Sequence, residues 1–329
     1  MTEPRHLVRV RFGSATVERA VPPLDTVHYR IFHPARFEDT PLQRMTGSLP
    51  ADDRRAPWPV VIVLGGINVN PDTYRWLATD LAGRGIATVI LHHVGEISPG
   101  EVGLSPGLDL TALTPEAFGG RPSATALGPV IDALADEAKD GPLAGLLDLD
   151  RIVVAGHSAG GTVALLNADP AWFRGVVAAI SYAGHTMPAT MIGHPVGTVL
   201  ASPAGVPALL FGGGRDDVIA ASAVRYSEDG GPTDDHDPIH ATFDRGTTAP
   251  GSTLVMLAEA THLTLCDPVD PTSARGFLEE PDLHGPDHRR IIAGIIAAFI
   301  DDVTGESPGS SDAVSAFASE PLVSELRRW

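Results

Sequence analysis

Cysteine is almost absent from this chain. Cys266 is the only one among 329 residues, which excludes an intramolecular disulfide framework and a cysteine-based zinc site. Basic residues are also short: 41 acidic against 23 basic side chains leave a formal net charge of −18, with no basic cluster. A surface of that sign repels nucleic-acid phosphates and anionic lipid headgroups, so neither is an expected partner. No apolar run approaches the ~18–20 residues of a membrane span, and Met1–His6 lacks the apolar core of a secretion signal. The expectation is a soluble, cytoplasmic protein without metal or cofactor. Few lysines beside many Ala, Gly, Pro, Asp and Arg is a usage associated with GC-rich bacterial coding, an association rather than a physical argument. With 43% apolar and 19% charged residues, the chain has the composition of a globular protein with a sizeable core.

No internal repeat is visible. Leu7–Phe12 and Val27–Phe32 alternate in polarity and read as antiparallel strands, followed by a polar, exposed loop from Ala35 to Pro57. From there the rhythm becomes strand then helix. Val60–Leu64 is a continuous apolar run, as in a strand buried on both faces. Asp72–Arg84 is helical, with Tyr74, Leu77, Ala78 and Leu81 on one face. Strands are predicted at Ile86–Leu91, Arg151–Ala155, Gly175–Ser181, Val206–Phe211 and Thr253–Ala258, and helices at Ser123–Ala138, Ala159–Ala168 and His288–Val303. Such alternation implies an α/β fold with a mostly parallel central sheet flanked by helices. One domain is expected over 1–304, with its core at 58–304. The tail 305–329 is expected to dock on the body through Val314, Phe317, Leu322, Leu326 and Trp329, an oligomer contact being the alternative.

Chemistry concentrates at Gly156-His157-Ser158-Ala159-Gly160. This G-x-S-x-G pentapeptide lies between a β-branched run and a helix-forming run, the setting of a nucleophile elbow. A Cβ at either glycine would crowd the turn or the neighbouring strand. An ordinary Gly/Ser-rich loop satisfies the pentapeptide alone, so the decision falls to the helpers a serine nucleophile needs. Asp216 and Asp217 follow the strand Val206–Phe211. Either could orient a histidine, and two adjacent acids leave one free to cap the next helix. His262 follows the strand Thr253–Ala258. The order Ser158, Asp216, His262, each beyond a strand, is that expected of an α/β-hydrolase triad, with Asp217 as the alternative acid. Two backbone N–H donors must face the developing oxyanion. Ala159, after the nucleophile, and Ile67, in the Gly65-Gly66-Ile67-Asn68 turn, are the candidates.

On these residues the chain resembles the α/β-hydrolase superfamily over roughly residues 58 to 304. It is most similar to the compact esterase/lipase branch of dienelactone hydrolase-like proteins, polyester hydrolases, chlorophyllases and platelet-activating-factor acetylhydrolase-like proteins. Gly120-Arg121-Pro122-Ser123 and Asp148-Leu149-Asp150-Arg151-Ile152 also look like these families. The resemblance implies catalytic roles for Ser158, Asp216 and His262 and oxyanion roles for Ile67 and Ala159. Two departures stand out. Many relatives have His-Gly where this chain has Gly65-Gly66. Dienelactone hydrolases proper use a cysteine nucleophile, so Ser158 argues against that substrate.

About 25 residues separate Ser181 from Val206, too few for the large cap domain that often enters there. Loops at His92–Pro122 and Tyr226–Ser252 are expected to cover the site instead. Candidate substrate contacts are Gly66, Asn68, His157, His92, His93, Met187 and Met191, with Ile192 also a candidate wall of an acyl pocket. His236 and His240 have helical metal-ligand spacing, but Pro238 between them argues against a regular helix, and a solvated acidic loop is the reading preferred. Cys266 reads as a buried spectator. The expected activity is hydrolysis of a small or lipid-like carboxylic ester through an acyl-enzyme. A thioesterase, amidase or acyltransferase on the same triad is the alternative, and a non-catalytic binding protein on a hydrolase fold is a further one. Oligomeric state is not readable from the chain.

Overall fold

The structure, a computed structural model, describes residues 6–18, 20–226, 237–305 and 311–329. Its strands are β1 (Leu7–Thr16), β2 (Thr26–Ala35), β3 (Trp58–Leu64), β4 (Ala87–Ser98), β5 (Glu101–Leu104), β6 (Leu147–His157), β7 (Val176–Tyr182), β8 (Ala208–Gly213), β9 (Thr253–Leu257) and β10 (Val323–Arg328). Its helices are α1 (Pro41–Thr46), α2 (Arg75–Gly83), α3 (Leu127–Asp140), α4 (Ala159–Asn167), α5 (Asp217–Ser222), α6 (Pro238–Ala241), α7 (Gly285–Thr304) and α8 (Ser311–Ser315).

Among the described residues the strands form one ten-stranded sheet in the order β1-β2-β4-β3-β6-β7-β8-β9-β10, with β5 pairing β4 off this path. From β4 to β9 all neighbours are parallel. The pairs β1/β2, β2/β4, β4/β5 and β9/β10 are antiparallel. The fold is thus α/β with a mixed, mostly parallel sheet flanked by helices.

Period-two alternation divides the apolar strands between two cores. In β3, Val61 and Val63 face the core shared with α2 and α7, whereas Val60, Ile62 and Leu64 face the core shared with α3 and α4. Both faces of these strands are covered, which is why they read as unbroken apolar runs. In α7, Ile291, Ile292, Ile295, Ile296, Phe299 and Ile300 give the i, i+1, i+4, i+5 stripe that packs on the sheet.

Three regions differ from the sequence expectation. The stretch 35–57 contains α1, built on a full capping box: Thr40 accepts from Gln43 N–H and the Gln43 side chain returns to the Thr40 backbone. The strand expected at Ile86–Leu91 runs on to Ser98, because its second half pairs with β5. The tail docks as a strand: β10 extends the sheet beside β9 in antiparallel register, and Phe317 packs against the Gly294 backbone of α7.

The parallel order places the functional residues. The chain moves from β3 outward to β4, then returns to the other side of β3 for β6. The crevice beyond the carboxyl ends of β3 and β6 is therefore a topological switch point, where open α/β sheets bind ligands. Ile67 follows β3 and Ser158 follows β6.

Candidate active site

The turn from β6 into α4 brings backbone against backbone at very short range. Ser158 occupies it with φ 54° and ψ −123°, a conformation that L-residues adopt only under constraint. A Cβ on Gly156 would lie 2.1 Å from Gly160 O, and one on Gly160 would lie 2.3 Å from Leu64 O. Both glycines are thus required by backbone contact, between turn and helix in the first case and between helix and β3 in the second. Ser158 N–H donates to Tyr182 O at 2.9 Å, and Ser158 O accepts from Thr162 N–H at 3.1 Å, which fixes the strained residue at both ends.

Asp216 and His262 meet beyond the ends of β8 and β9. His262 Nδ1 lies 2.9 Å from Asp216 Oδ2 and 3.1 Å from Oδ1, with both side chains buried. Asp216 Oδ1 also accepts from Ile219 N–H at 2.8 Å, so the same carboxylate caps α5. The division of labour expected between two acids is therefore incorrect: Asp216 performs both tasks, and Asp217, the alternative acid, is exposed in the first turn of α5.

Ser158, His262, Ile67 and Ala159 line one cavity of about 420 Å3, at the small-molecule end of the usual range for ligand pockets. The contact between Ser158 Oγ and His262 Nε2 is not closed as a hydrogen bond among the described residues. Open contacts of this kind are common without substrate. Backbone strain gathers at this cavity. Of the six non-glycine residues with positive φ among those described, four line it: Asn68, Ser158, Ala183 and Ala274. Such strain persists only where the surroundings over-determine the backbone, typically at active sites.

Beneath the cavity a hydrogen-bond chain joins three loops. His157 Nε2 faces His262 O at 2.9 Å; a carbonyl only accepts, so Nε2 carries the proton. His157 Nδ1 then accepts from the Tyr74 hydroxyl at 2.8 Å, and the Tyr74 oxygen accepts from Gly66 N–H at 3.1 Å. Burial, reinforced by nearby His262, pushes the His157 imidazole down to about 3, so it stays neutral and keeps this polarity. On the other side of the base, the Tyr182 hydroxyl donates to Thr261 O at 2.7 Å. Thr264 ties the same loop to Asp282, which holds His288 of α7 at 2.8 Å.

The remaining candidates divide. Asn68 lines the cavity and fastens its loop to β5, accepting from Leu104 N–H at 3.1 Å and donating its own N–H to Leu104 O at 2.9 Å. Met187 and Ile192 are also cavity walls. Five expected substrate contacts are not. His157 is fully buried as the strut just described. Gly66 gives its N–H to Tyr74 and does not reach the cavity. His92 and His93 lie within β4 opposite His28 and Val27; His92 is exposed, while His93 is buried with Nε2 3.1 Å from Leu24 O. Met191 is 85% exposed outside the cavity.

Pro238 begins α6 at a position where its missing N–H costs nothing, with Asp237 as cap, so it starts a helix rather than preventing one. His240 there lies between Asp237 and Glu325, at 2.7 and 2.9 Å. His236 lies outside the described residues. Among those described, no group of three His, Cys, Asp or Glu residues is placed to hold a metal ion, and no helix is long and apolar enough to cross a membrane. Cys266 is buried, and burial pushes its thiol up to about 12, which removes it as a nucleophile.

Several site residues carry no sequence signal. Glu279 approaches the dyad from the loop before α7; its Oε2 accepts weakly from Leu263 N–H at 3.4 Å while Oε1 is buried without a partner. Burial raises its carboxyl from the ordinary value, a Thr261 hydrogen bond opposing this and the Asp216 charge adding to it. His185, the adjacent pair Arg225 and Tyr226, and Arg275 line the cavity from three separate segments.

No protein-family model matches this chain, and no curated protein matches it.

Proposed function

We propose that this chain is a serine hydrolase of the α/β-hydrolase fold that cleaves carboxylic esters through an acyl-enzyme. The observation that carries the reading is the meeting, at one cavity on the switch point, of a strained serine with a histidine already oriented by a buried carboxylate. In this mechanism Ser158 Oγ attacks the ester carbonyl while its proton passes to His262 Nε2. Asp216 holds the proton on Nδ1 and stabilises the imidazolium that forms. The carbonyl oxygen becomes an oxyanion facing Ile67 N–H and Ala159 N–H, each such donor being worth about 10²–10³ in rate. Collapse expels the alcohol, which leaves with the proton from His262. Water, deprotonated by the same imidazole, then attacks the acyl-serine and releases the acid and free Ser158.

The cavity has no cysteine chemistry to offer, and the single thiol is compatible with a reducing, cytoplasmic location. Incubation with a fluorophosphonate followed by mass spectrometry tests the reading: one adduct on Ser158 is expected, and an unlabelled Ser158 or full esterase activity in Ser158→Ala overturns it. Product analysis with a competing alcohol separates hydrolysis from acyl transfer, and p-nitrophenyl esters from acetate to palmitate read the length of the acyl pocket.

A further inference from the structure

The chain is strongly acidic, and most of its arginines are paired with carboxylates. Two cavity-lining arginines are exceptions. Among the described residues neither Arg225 nor Arg275 has a carboxylate partner, although acidic side chains outnumber basic ones almost two to one. Arg275 is half-buried, and its Nη1 donates to Ser222 Oγ at 2.8 Å, which fixes the guanidinium and leaves four of its five N–H groups for another acceptor. Burial, with Arg225 close by, makes its charge harder to hold; Asp216 offsets this only at a distance, its oxygens being committed to His262 and α5. A half-buried cation beside a second cation is costly unless an anion joins them.

Tyr226 adds a neutral donor. His185 Nδ1 accepts from Met187 N–H at 3.3 Å, so its Nε2 bears the proton and donates to the Tyr226 oxygen at 2.9 Å. The Tyr226 O–H then has no acceptor among the described residues, and both residues line the cavity. Ser222, which anchors Arg275, is the last residue of α5, whereas Asp216 caps its first turn. Six residues at 1.5 Å each separate the two by about 9 Å, so Arg275 is anchored at the end of α5 opposite the Asp216–His262 pair.

We propose that Arg275, Arg225 and the Tyr226 hydroxyl form a carboxylate-binding subsite, and that the ester taken by Ser158 carries a carboxylate several bonds from its scissile carbonyl. A planar guanidinium presents paired N–H groups that match the two oxygens of a carboxylate. As a substrate assignment this rests on the hydrolase reading.

The test compares matched charged and neutral esters. p-Nitrophenyl half-esters of succinate, adipate and suberate are set against neutral p-nitrophenyl esters of equal length, and phenyl acetates with and without a para-carboxylate probe the alcohol side. Arg275→Met is expected to lower the charged-to-neutral ratio of kcat/KM at least tenfold in one series, chiefly through KM. Arg225→Met should lower it less, and Arg275→Lys, which keeps charge but loses the fork, should fall between wild type and Arg275→Met. Adipate binding to Ser158→Ala, measured by calorimetry, should weaken at least tenfold when Arg275→Met is added. Ratios unmoved by both methionine variants, with adipate binding independent of Arg275, overturn the subsite. If Ser158 takes the fluorophosphonate while the ratios stay flat, the hydrolase reading survives alone. An unlabelled Ser158 with Arg275-dependent adipate binding gives the reverse.

Discussion

Replacing Asp216 by asparagine separates its two tasks. In the native protein Oδ2 meets His262 Nδ1 at 2.9 Å and Oδ1 accepts from Ile219 N–H at 2.8 Å. An asparagine keeps one carbonyl oxygen, which can still cap α5, while its amide nitrogen must face the imidazole. That amide only donates, so Nδ1 becomes the acceptor and the proton moves to Nε2, the nitrogen that should take the Ser158 proton. Loss of the correct tautomer is worth about 10⁴ in kcat in serine hydrolases that use this relay. Stability should fall by less than ~1 kcal/mol, because cap and buried contact are both retained. Asp216→Ala, by contrast, removes the cap (~1 kcal/mol) and strands a buried imidazole nitrogen (~1–3 kcal/mol), for a total of ~2–4 kcal/mol. Asp217→Asn should leave rate and stability near wild type, since its side chain points to solvent. Steady-state ester hydrolysis together with urea denaturation of the three variants decides the matter. If Asp216→Asn retains a tenth of wild-type kcat, or Asp217→Asn loses more activity than it does, the assignment of the acid is wrong.

Three further outcomes are expected. Tyr74→Phe deletes the hydroxyl between Gly66 N–H and His157 Nδ1 in a fully buried position, which should cost ~2–4 kcal/mol in urea denaturation and lower kcat; wild-type stability would show that the chain carries no weight. Gly160→Ala sets a methyl 2.3 Å from Leu64 O and 2.6 Å from Gly65 O, so backbone must shift; a loss of ~2 kcal/mol or more and of fluorophosphonate labelling is expected, and an unchanged labelling rate counts against the elbow geometry. Burial holds His185 at about 4 and His157 at about 3, both below the ordinary 6.5, so between pH 6.5 and these values the unfolded chain binds protons that the native state refuses. Stability should therefore fall as pH drops from 6.5 towards 4, by at most ~1.4 kcal/mol per group per pH unit, and His185→Gln should flatten the dependence of the urea midpoint on pH; an equal slope in the variant refutes the role given to His185.

What the chain discloses locally could be read from it. The run Val60–Leu64 announces a strand covered on both faces, and G-x-S-x-G between a β-branched run and helix formers announces the turn. Asp216 and His262 were legible because each follows a strand whose apolar run is visible. Features made by distant partners were not. Val323–Arg328 is rich in Ser, Glu and Arg, and it becomes a strand because β9 offers an open edge. His92 and His93 resemble residues of a loop at the sheet edge, yet pairing with β2 and β5 carries β4 through them. The middle position of the pentapeptide invites a substrate role for His157, whereas its partners come from 83 and 105 residues away. Arg225 and Arg275 gave no signal, since an isolated arginine in a polar loop is ordinarily a solvated charge, and only the fold brings the two to one cavity, without a carboxylate partner among the described residues.

The chain from Gly66 through Tyr74 and His157 to the His262 carbonyl has a mechanical consequence. Gly66 precedes Ile67, one proposed oxyanion donor, His157 precedes Ser158, the proposed nucleophile, and His262 is the proposed base. Three loops that leave β3, β6 and β9 independently are thus tied by three hydrogen bonds of 2.8–3.1 Å in a floor closed to water. Each bond has its direction set by the next, beginning from a carbonyl that cannot donate, so the chain has one low-energy arrangement. Electrostatic catalysis of this kind depends on donors already aimed before charge develops, and a misplacement of about 1 Å can cost 10²-fold. Because hole and base share one floor, a substitution there should displace both together. Losses at Tyr74 and His157 should then be markedly less than additive in a double variant, whereas two independent supports would give the sum of their effects.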